Sequence, residues 1–174
     1  DIDEDALARA LRELGDEPHA RRIAGAVLDA QPRSTRALAE VVRASVPAAR
    51  RRSGDPAKRV FQVLRIMVND EVGVLERTLE QGLDALVPGG RFAVISFHSV
   101  EDRMVKRAFR TAADGGCTCP PGLPCVCGAQ PVARLVRRKP WTATPAEVAV
   151  NRRSTSARLR VVERIPTDAP EGEP

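Results

Sequence analysis

The chain has 174 residues, with 28 Lys and Arg against 23 Asp and Glu, and a formal net charge of +5. Its 43% hydrophobic share is enough for a folded core and excludes wholesale disorder. No run of ~18 uncharged apolar residues reads as a membrane span, and the acidic start at Asp1, Asp3, Glu4 and Asp5 is unlike a secretory leader.

The first ~55 residues read as short punctuated helices. Ala6, Leu7, Ala10, Leu11 and Leu14 form a stripe that stops at Gly15. Pro18 suits the first turn of a second helix carrying Ile23, Ala24, Val27 and Leu28. Ser34 or Thr35 caps a third, with Leu38, Val41, Val42 and Val46, closed by Pro47. Asp55–Pro56 restarts a helix whose apolar residues run from Phe61 through Leu64, Val68, Val72, Leu75, Leu79 and Leu83 to Leu86, bent near Gly73. After Pro88–Gly89–Gly90, the apolar run Phe92–Phe97 predicts a strand buried on both faces of a parallel sheet. Ser99 and Asp102 are spaced as a weak capping box for the next helix, with Met104, Val105, Ala108 and Phe109 on its buried face.

Residues 111–130 form a Gly/Pro/Cys loop. Val132–Arg138 and Ala157–Ile165 predict two strands forming an antiparallel edge, the second with Leu159 and Val161 on its apolar face. Between them, Thr144-Pro-Ala-Glu147 opens a short helix. Residues 166–174 have no core pattern and are expected to be disordered.

The charge is uneven. Residues 1–20 hold seven acids against two bases, and 166–174 hold three acids and no base, so the body between them carries +13. Its clusters are Arg50, Arg51 and Arg52 with Lys58 and Arg59; Arg134 with Arg137, Arg138 and Lys139; and Arg152 and Arg153 with Arg158 and Arg160. Such clusters suit a polyphosphate partner, most simply nucleic acid, although a solvated surface has the same look. The 3% aromatic share argues against recognition by many stacking rings.

Four Cys stand as Cys117-x-Cys119-x5-Cys125-x-Cys127. Four thiolates close a tetrahedral, structural Zn²⁺ site with no open position, although these pairs are tighter than the usual spacing. Disulfides are the alternative, and they fit a reducing compartment poorly. Ser96, His98 and Ser99 lie where the buried strand meets a helix, the end of an α/β unit at which ligands bind. A loop His bonded to backbone explains His98 equally well. Asn69, in a polar interruption of its helix, suits hydrogen bonding to a base edge if it lies beside a cleft. No P-loop, His-Glu-x-x-His, Gly-x-Ser-x-Gly or Gly-x-Gly-x-x-Gly is present.

Three segments carry a resemblance. Asp55-Pro-Ala-Lys-Arg-Val-Phe-Gln-Val-Leu-Arg-Ile-Met-Val-Asn-Asp-Glu-Val-Gly-Val-Leu-Glu-Arg, Val87-Pro-Gly-Gly-Arg-Phe-Ala-Val-Ile-Ser-Phe-His-Ser-Val-Glu-Asp-Arg-Met-Val-Lys and Asn151-Arg-Arg-Ser-Thr-Ser-Ala-Arg-Leu-Arg-Val-Val-Glu-Arg resemble the small-subunit ribosomal RNA cytosine-N4 methyltransferase family (RsmH, also called MraW). The Cys loop looks like that of many members, and the resemblance covers residues 1–165. It implies an α/β fold: a partial class I, Rossmann-like methyltransferase sheet with a small helical insertion domain. Residues 1–55 would be the incomplete substrate-recognition insertion. Residues 56–165 would be the C-terminal part of the methyltransferase domain, with the Cys-rich loop at 115–130.

The implied activity is transfer of a methyl group from S-adenosylmethionine to N4 of a cytosine in the decoding region of 16S rRNA, in the cytoplasm. The family's cofactor motifs lie upstream of the first residue here, so the chain is expected to be a C-terminal fragment with no cofactor-binding residue of its own. Asn69, Ser96, His98 and Ser99 would line the base pocket, and the basic clusters would hold small-subunit rRNA phosphates. A non-catalytic RNA-binding module and an inactive remnant are the alternatives.

Overall fold

The computed structural model describes residues 2–49, 54–120, 124 and 126–166. They form two compact units, divided between Val72 and Gly73. The expected tail, from residue 167 on, lies outside the described residues.

The first unit holds α1 (Glu4–Glu13), α2 (Ala20–Ala30), α3 (Thr35–Ser45) and α4 (Pro56–Val68). The side chains of Asp3, Ser34 and Asp55 accept the N–H groups of Ala6, Ala37 and Ala57, so α1, α3 and α4 each start on a side-chain cap. Pro18 precedes α2 rather than sitting in its first turn. Leu11, Ile23, Val42, Val60 and Val63 form the sealed centre of the core. Asp55 also pairs with Arg43, whose guanidinium holds its carboxyl below the usual carboxylate range.

The long helix expected from 56 onward is two helices. α4 ends at Asn69, whose N–H reaches the Arg65 carbonyl, and α5 (Glu71–Asp84) begins after Asp70 at φ +50°. Asp tolerates the left-handed region better than most side chains. A bidentate ion pair from Arg65 to Glu71, at 2.7 and 2.9 Å, spans the break. The apolar spacing of three and four continues through it, which is why periodicity alone does not reveal it.

The second unit carries a small sheet: β1 (Arg91–Ser96), β2 (Ala133–Leu135), β3 (Trp141–Thr142) and β4 (Arg158–Arg164). Its helices are α6 (Ser99–Asp114) and α7 (Pro145–Val150), with a 3₁₀ turn at Arg152–Ser156. β4 is central in the order β1-β4-β2, β3 also pairs with it, and every pairing is antiparallel. The predicted parallel strand is therefore antiparallel. It is also covered on one face only: Ala93 is exposed and Ile95 is 57% exposed.

Register explains the faces. Val162 lies opposite Phe92, and Arg160 opposite Val94. Phe92 meets the fully buried Phe109 of α6 with ring centroids 5.6 Å apart, and Leu79 of α5 joins the same core. The core face of β4 is thus the one carrying Arg160 and Val162, the reverse of the expected face with Leu159 and Val161. On the other face, Glu163 lies between Arg91 of β1 and Arg134 of β2, at 2.8 and 2.6 Å.

The Arg91 hydrogen bond first, and then that of Arg134, hold the Glu163 carboxyl below the ordinary glutamate value of about 4.3. The stabilisation is complete above that value and is lost as pH falls through the lower folded value. Urea midpoints of the wild-type chain are expected to fall more steeply below about pH 4.3 than those of Glu163→Gln. Parallel pH profiles would show that the carboxylate is not held by the two arginines.

Candidate functional site

The polar turn after β1 is built by a helix cap. His98 is the N-cap of α6: its Nδ1 accepts the Glu101 N–H at 3.4 Å, and its Nε2 lies 3.0 Å from Glu101 Oε1. The other Glu101 oxygen accepts the N–H groups of Phe97 (2.9 Å) and His98 (3.3 Å). This is a capping box one residue earlier than the Ser99–Asp102 spacing suggests. An accepting Nδ1 places the proton of the neutral imidazole on Nε2, facing the carboxylate.

With His98 as the cap, Ser99 becomes the exposed first residue of the helix. Asp102 is then not needed for capping and turns inward, 8% exposed. It accepts Arg160 Nε and Nη2 at 2.7 and 3.0 Å, and Arg158 Nη1 lies 3.5 Å away. Ser96 is buried at the end of β1, and its hydroxyl donates to the Arg158 carbonyl at 3.4 Å. Ser96, His98 and Ser99 thus share one turn, supported by Glu101, Asp102, Arg158 and Arg160. Asn69 belongs to the first unit, exposed at the end of α4, where its side-chain amide donates to Glu71 at 3.2 Å.

In the sequence alone, Glu101 and Asp102 look like a plain first-turn signature. The signal for the ion pair is the alternation of β4, which puts Arg160 on the same face as Val162.

Three cysteines come together in the loop after α6. The Sγ atoms of Cys117, Cys119 and Cys127 lie within 4.8 Å of one another, a set able to offer thiolates to a metal. Cys117 and Cys127 are 3.7 Å apart, far beyond the ~2.05 Å of a disulfide. Cys119 Sγ accepts the Val126 N–H at 3.5 Å, and that bond is the first cause of a thiol pKa below its usual value. Cys125, the fourth member of the expected set, lies outside the described residues.

The basic residues divide. Arg50, Arg51 and Arg52 lie outside the described residues. Lys58 and Arg59 are exposed on α4, and Arg59 donates to the Asp16 carbonyl at 3.0 Å. Arg137, Arg138 and Lys139 are exposed in the β2–β3 connection, and Arg152 and Arg153 on the 3₁₀ turn. Among the described residues, no helix is long and apolar enough to cross a membrane.

The profile of the MraW methylase family matches residues 1–165. The chain is similar to the ribosomal RNA small subunit methyltransferase H of Symbiobacterium thermophilum, 52% identical over 169 residues, covering 94% of this chain and 53% of the relative. The protein of the same name from Heliobacterium mobile is 48% identical over 168 residues, covering 93% and 54%. That of Anaeromyxobacter sp. strain K is 51% identical over 170 residues, covering 94% and 54%. The chain therefore spans about half the length of the curated relatives it matches.

Removing one partner of the buried pair strands the other. Asp102→Ala is expected to lower stability by about 3–5 kcal/mol in urea unfolding. Asp102→Leu combined with Arg160→Met should recover much of that deficit, since Arg158 is half-exposed and stays solvated. A loss below ~1 kcal/mol for Asp102→Ala would show the pair to be no better than a surface one.

Proposed function

The chain belongs to the MraW methylase family, and from that premise we propose that it serves S-adenosylmethionine-dependent methylation of a cytosine N4 in the decoding region of 16S rRNA. The observation that carries this reading is the family match across nearly the whole chain. Residues 1–55 are assigned to substrate recognition. Residues 56–165 are assigned to the C-terminal part of a class I methyltransferase sheet, with β1 and α6 as one of its strand–helix units.

The turn from β1 into α6 is not proposed to hold S-adenosylmethionine. The turn from β1 into α6 contains no glycine, and its first N–H groups are taken by Glu101 and His98. No residue of this chain is assigned to the methyl donor.

The cytosine is the part of the reaction assigned to these residues. Its N4 lone pair is conjugated with the ring, so the chain's contribution is to hold an unstacked base in line for transfer and to meet charge as it develops. Ser96, His98 and Ser99, all of the second unit, are proposed to line that base pocket. Arg50, Arg51, Arg52, Lys58, Arg59, Arg137, Arg138, Lys139, Arg152 and Arg153 are proposed to hold phosphates of the small-subunit rRNA. The cytoplasm is the matching location.

The test is methyl transfer to 16S rRNA in small-subunit particles by the enzyme that carries this chain. His98→Ala is expected to lower kcat by about 10²-fold. His98→Asn separates site from scaffold, because Asn is a good N-cap without an imidazole. If His98→Asn turns over normally, His98 is a cap only. If the wild-type enzyme transfers nothing to the rRNA, the substrate assignment itself fails.

A structural Zn²⁺ is proposed for the cysteine loop. The 3.7 Å between Cys117 and Cys127 matches the edge of a tetrahedron with Zn–S bonds of about 2.3 Å. The N–H on Cys119 is a bond that a metal-held thiolate accepts. Elemental analysis should find about one zinc per chain, absent from Cys117→Ser. Metal-free protein with unchanged thermal stability would remove the assignment.

A further inference from the structure

The basic patch is not evenly spread over the second unit. Lys106 and Arg110 lie on α6, Arg137 and Arg138 in the β2–β3 connection, and Arg160 on β4. Together they line a cleft of about 160 Å³ whose apolar lining includes Phe109. No carboxylate lines it. Arg160 is matched by Asp102 and Arg110 faces Asp114 at 3.7 Å, but among the described residues no carboxylate lies within ion-pair distance of Lys106, Arg137 or Arg138.

Three physical points separate this cleft from a solvated charge run. Lys106 and Arg110 are one helical turn apart, a like-charge spacing that destabilises a helix by about 0.2–0.5 kcal/mol, and of the two only Arg110 faces a compensating carboxylate, Asp114. Phe109, Leu135 and Val161 also line the cleft, so one side of the charges meets apolar side chains rather than competing carboxylates. Arg137 is also held ready, with its guanidinium 5.4 Å from the centroid of the Trp141 ring.

We infer that this cleft is a subsite for a backbone phosphate of a single-stranded RNA segment. Arginine forks and a lysine around one anion are the usual means of gripping a phosphate. The size agrees: the cleft falls below the ~300–1,000 Å³ of pockets that enclose whole small molecules, so a phosphate enters while its sugar and base stay outside. Lys106 and Arg110 are the new members, joining Arg138 around one anion. The inference rests on the RNA reading given above and locates one place where the strand is held.

The test is fluorescence anisotropy of the chain with a short labelled single-stranded oligoribonucleotide over a range of salt. Lys106→Ala, Arg110→Ala and Arg138→Ala, combined in one chain, are compared with Arg36→Ala on α3. The triple replacement in the cleft should weaken binding about 10-fold or more and flatten the salt slope by about 0.7 for each phosphate that is no longer neutralised. Arg36→Ala should bind as the wild type does. Thermal melts check that the exposed replacements leave the fold intact.

If the wild type binds with a steep salt slope and the cleft variants match it, the cleft is overturned while the RNA reading stands. If the wild type does not bind RNA, both fail. Calorimetry with inorganic phosphate provides a separate arm. A phosphate site abolished in the variants while RNA affinity is unchanged would mean that the cleft takes a free anion, and would also overturn the inference.

Discussion

The second unit depends on one buried ion pair. Asp102 and Arg160 have side chains only 11% exposed, and they tie the first turn of α6 to the central strand β4. Desolvating two charges is costly, and apolar residues of the same volume would often stabilise as well or better. What the pair adds is selectivity. A one-residue slip of β4 would place Leu159 or Val161 against Asp102 and turn Arg160 outward. The carboxylate accepts two parallel N–H bonds from one guanidinium, a match that a one-residue slip would lose. The same pair fixes the turn that carries Ser96, His98 and Ser99, and it places Arg160 in the lining of the basic cleft.

The opposite face of β4 uses charge differently. Glu163 is the middle of a row running from Arg91 through β4 to Arg134, and the two arginines cover it so fully that it is 9% exposed on an otherwise open face. Each arginine comes from a different neighbouring strand, so the row clasps β1 and β2 to β4 with one carboxylate. A three-residue strand such as β2 has few ladder hydrogen bonds of its own, and a charge clasp of this kind sets its position. β4 therefore carries an ion pair inward at Arg160 and another set outward at Glu163, three residues apart. Charged residues thus fall on both of its faces although it is the centre of the sheet.

That is also why the sheet is harder to read than the helices. Asp3, Ser34, Asp55 and Thr144 sit at cap positions because short side-chain acceptors satisfy N–H groups locally, and such signals need no tertiary knowledge. The faces of β4 do need it, since Leu159 and Val161 are the apolar pair by alternation but Val162 is the residue that meets Phe92 and α6. The break at Asn69–Asp70 shows in the sequence only as a polar interruption and an expected bend near Gly73, because one left-handed residue shifts a helix without disturbing an apolar spacing of three and four. Of the candidate site, Ser96, His98 and Ser99 are legible as the end of a strand entering a helix. Glu101 and Asp102 are not, because acidic residues in a first turn are ordinary. Their roles follow from which residue serves as the cap.

His98 is where the scaffold meets the proposed site. An N-cap asks for a short acceptor, and Ser, Thr, Asp or Asn supplies it better than an imidazole. Ser99 stands next in the chain, yet the helix begins on His98, which spends both ring nitrogens on Glu101. Judged by helix stability alone this is the weaker choice, and a local rule broken beside otherwise well-formed caps is a mark of a position used for something else. The geometry also says what that use would involve. The side chain is only 17% exposed, and its Nε2–H is already directed at a carboxylate. A ligand reaching this turn would therefore meet an imidazole whose tautomer and orientation are set before binding. The proposed role in positioning a weak nucleophile would draw on such pre-organisation, since the ordering cost is met by the fold rather than by the encounter.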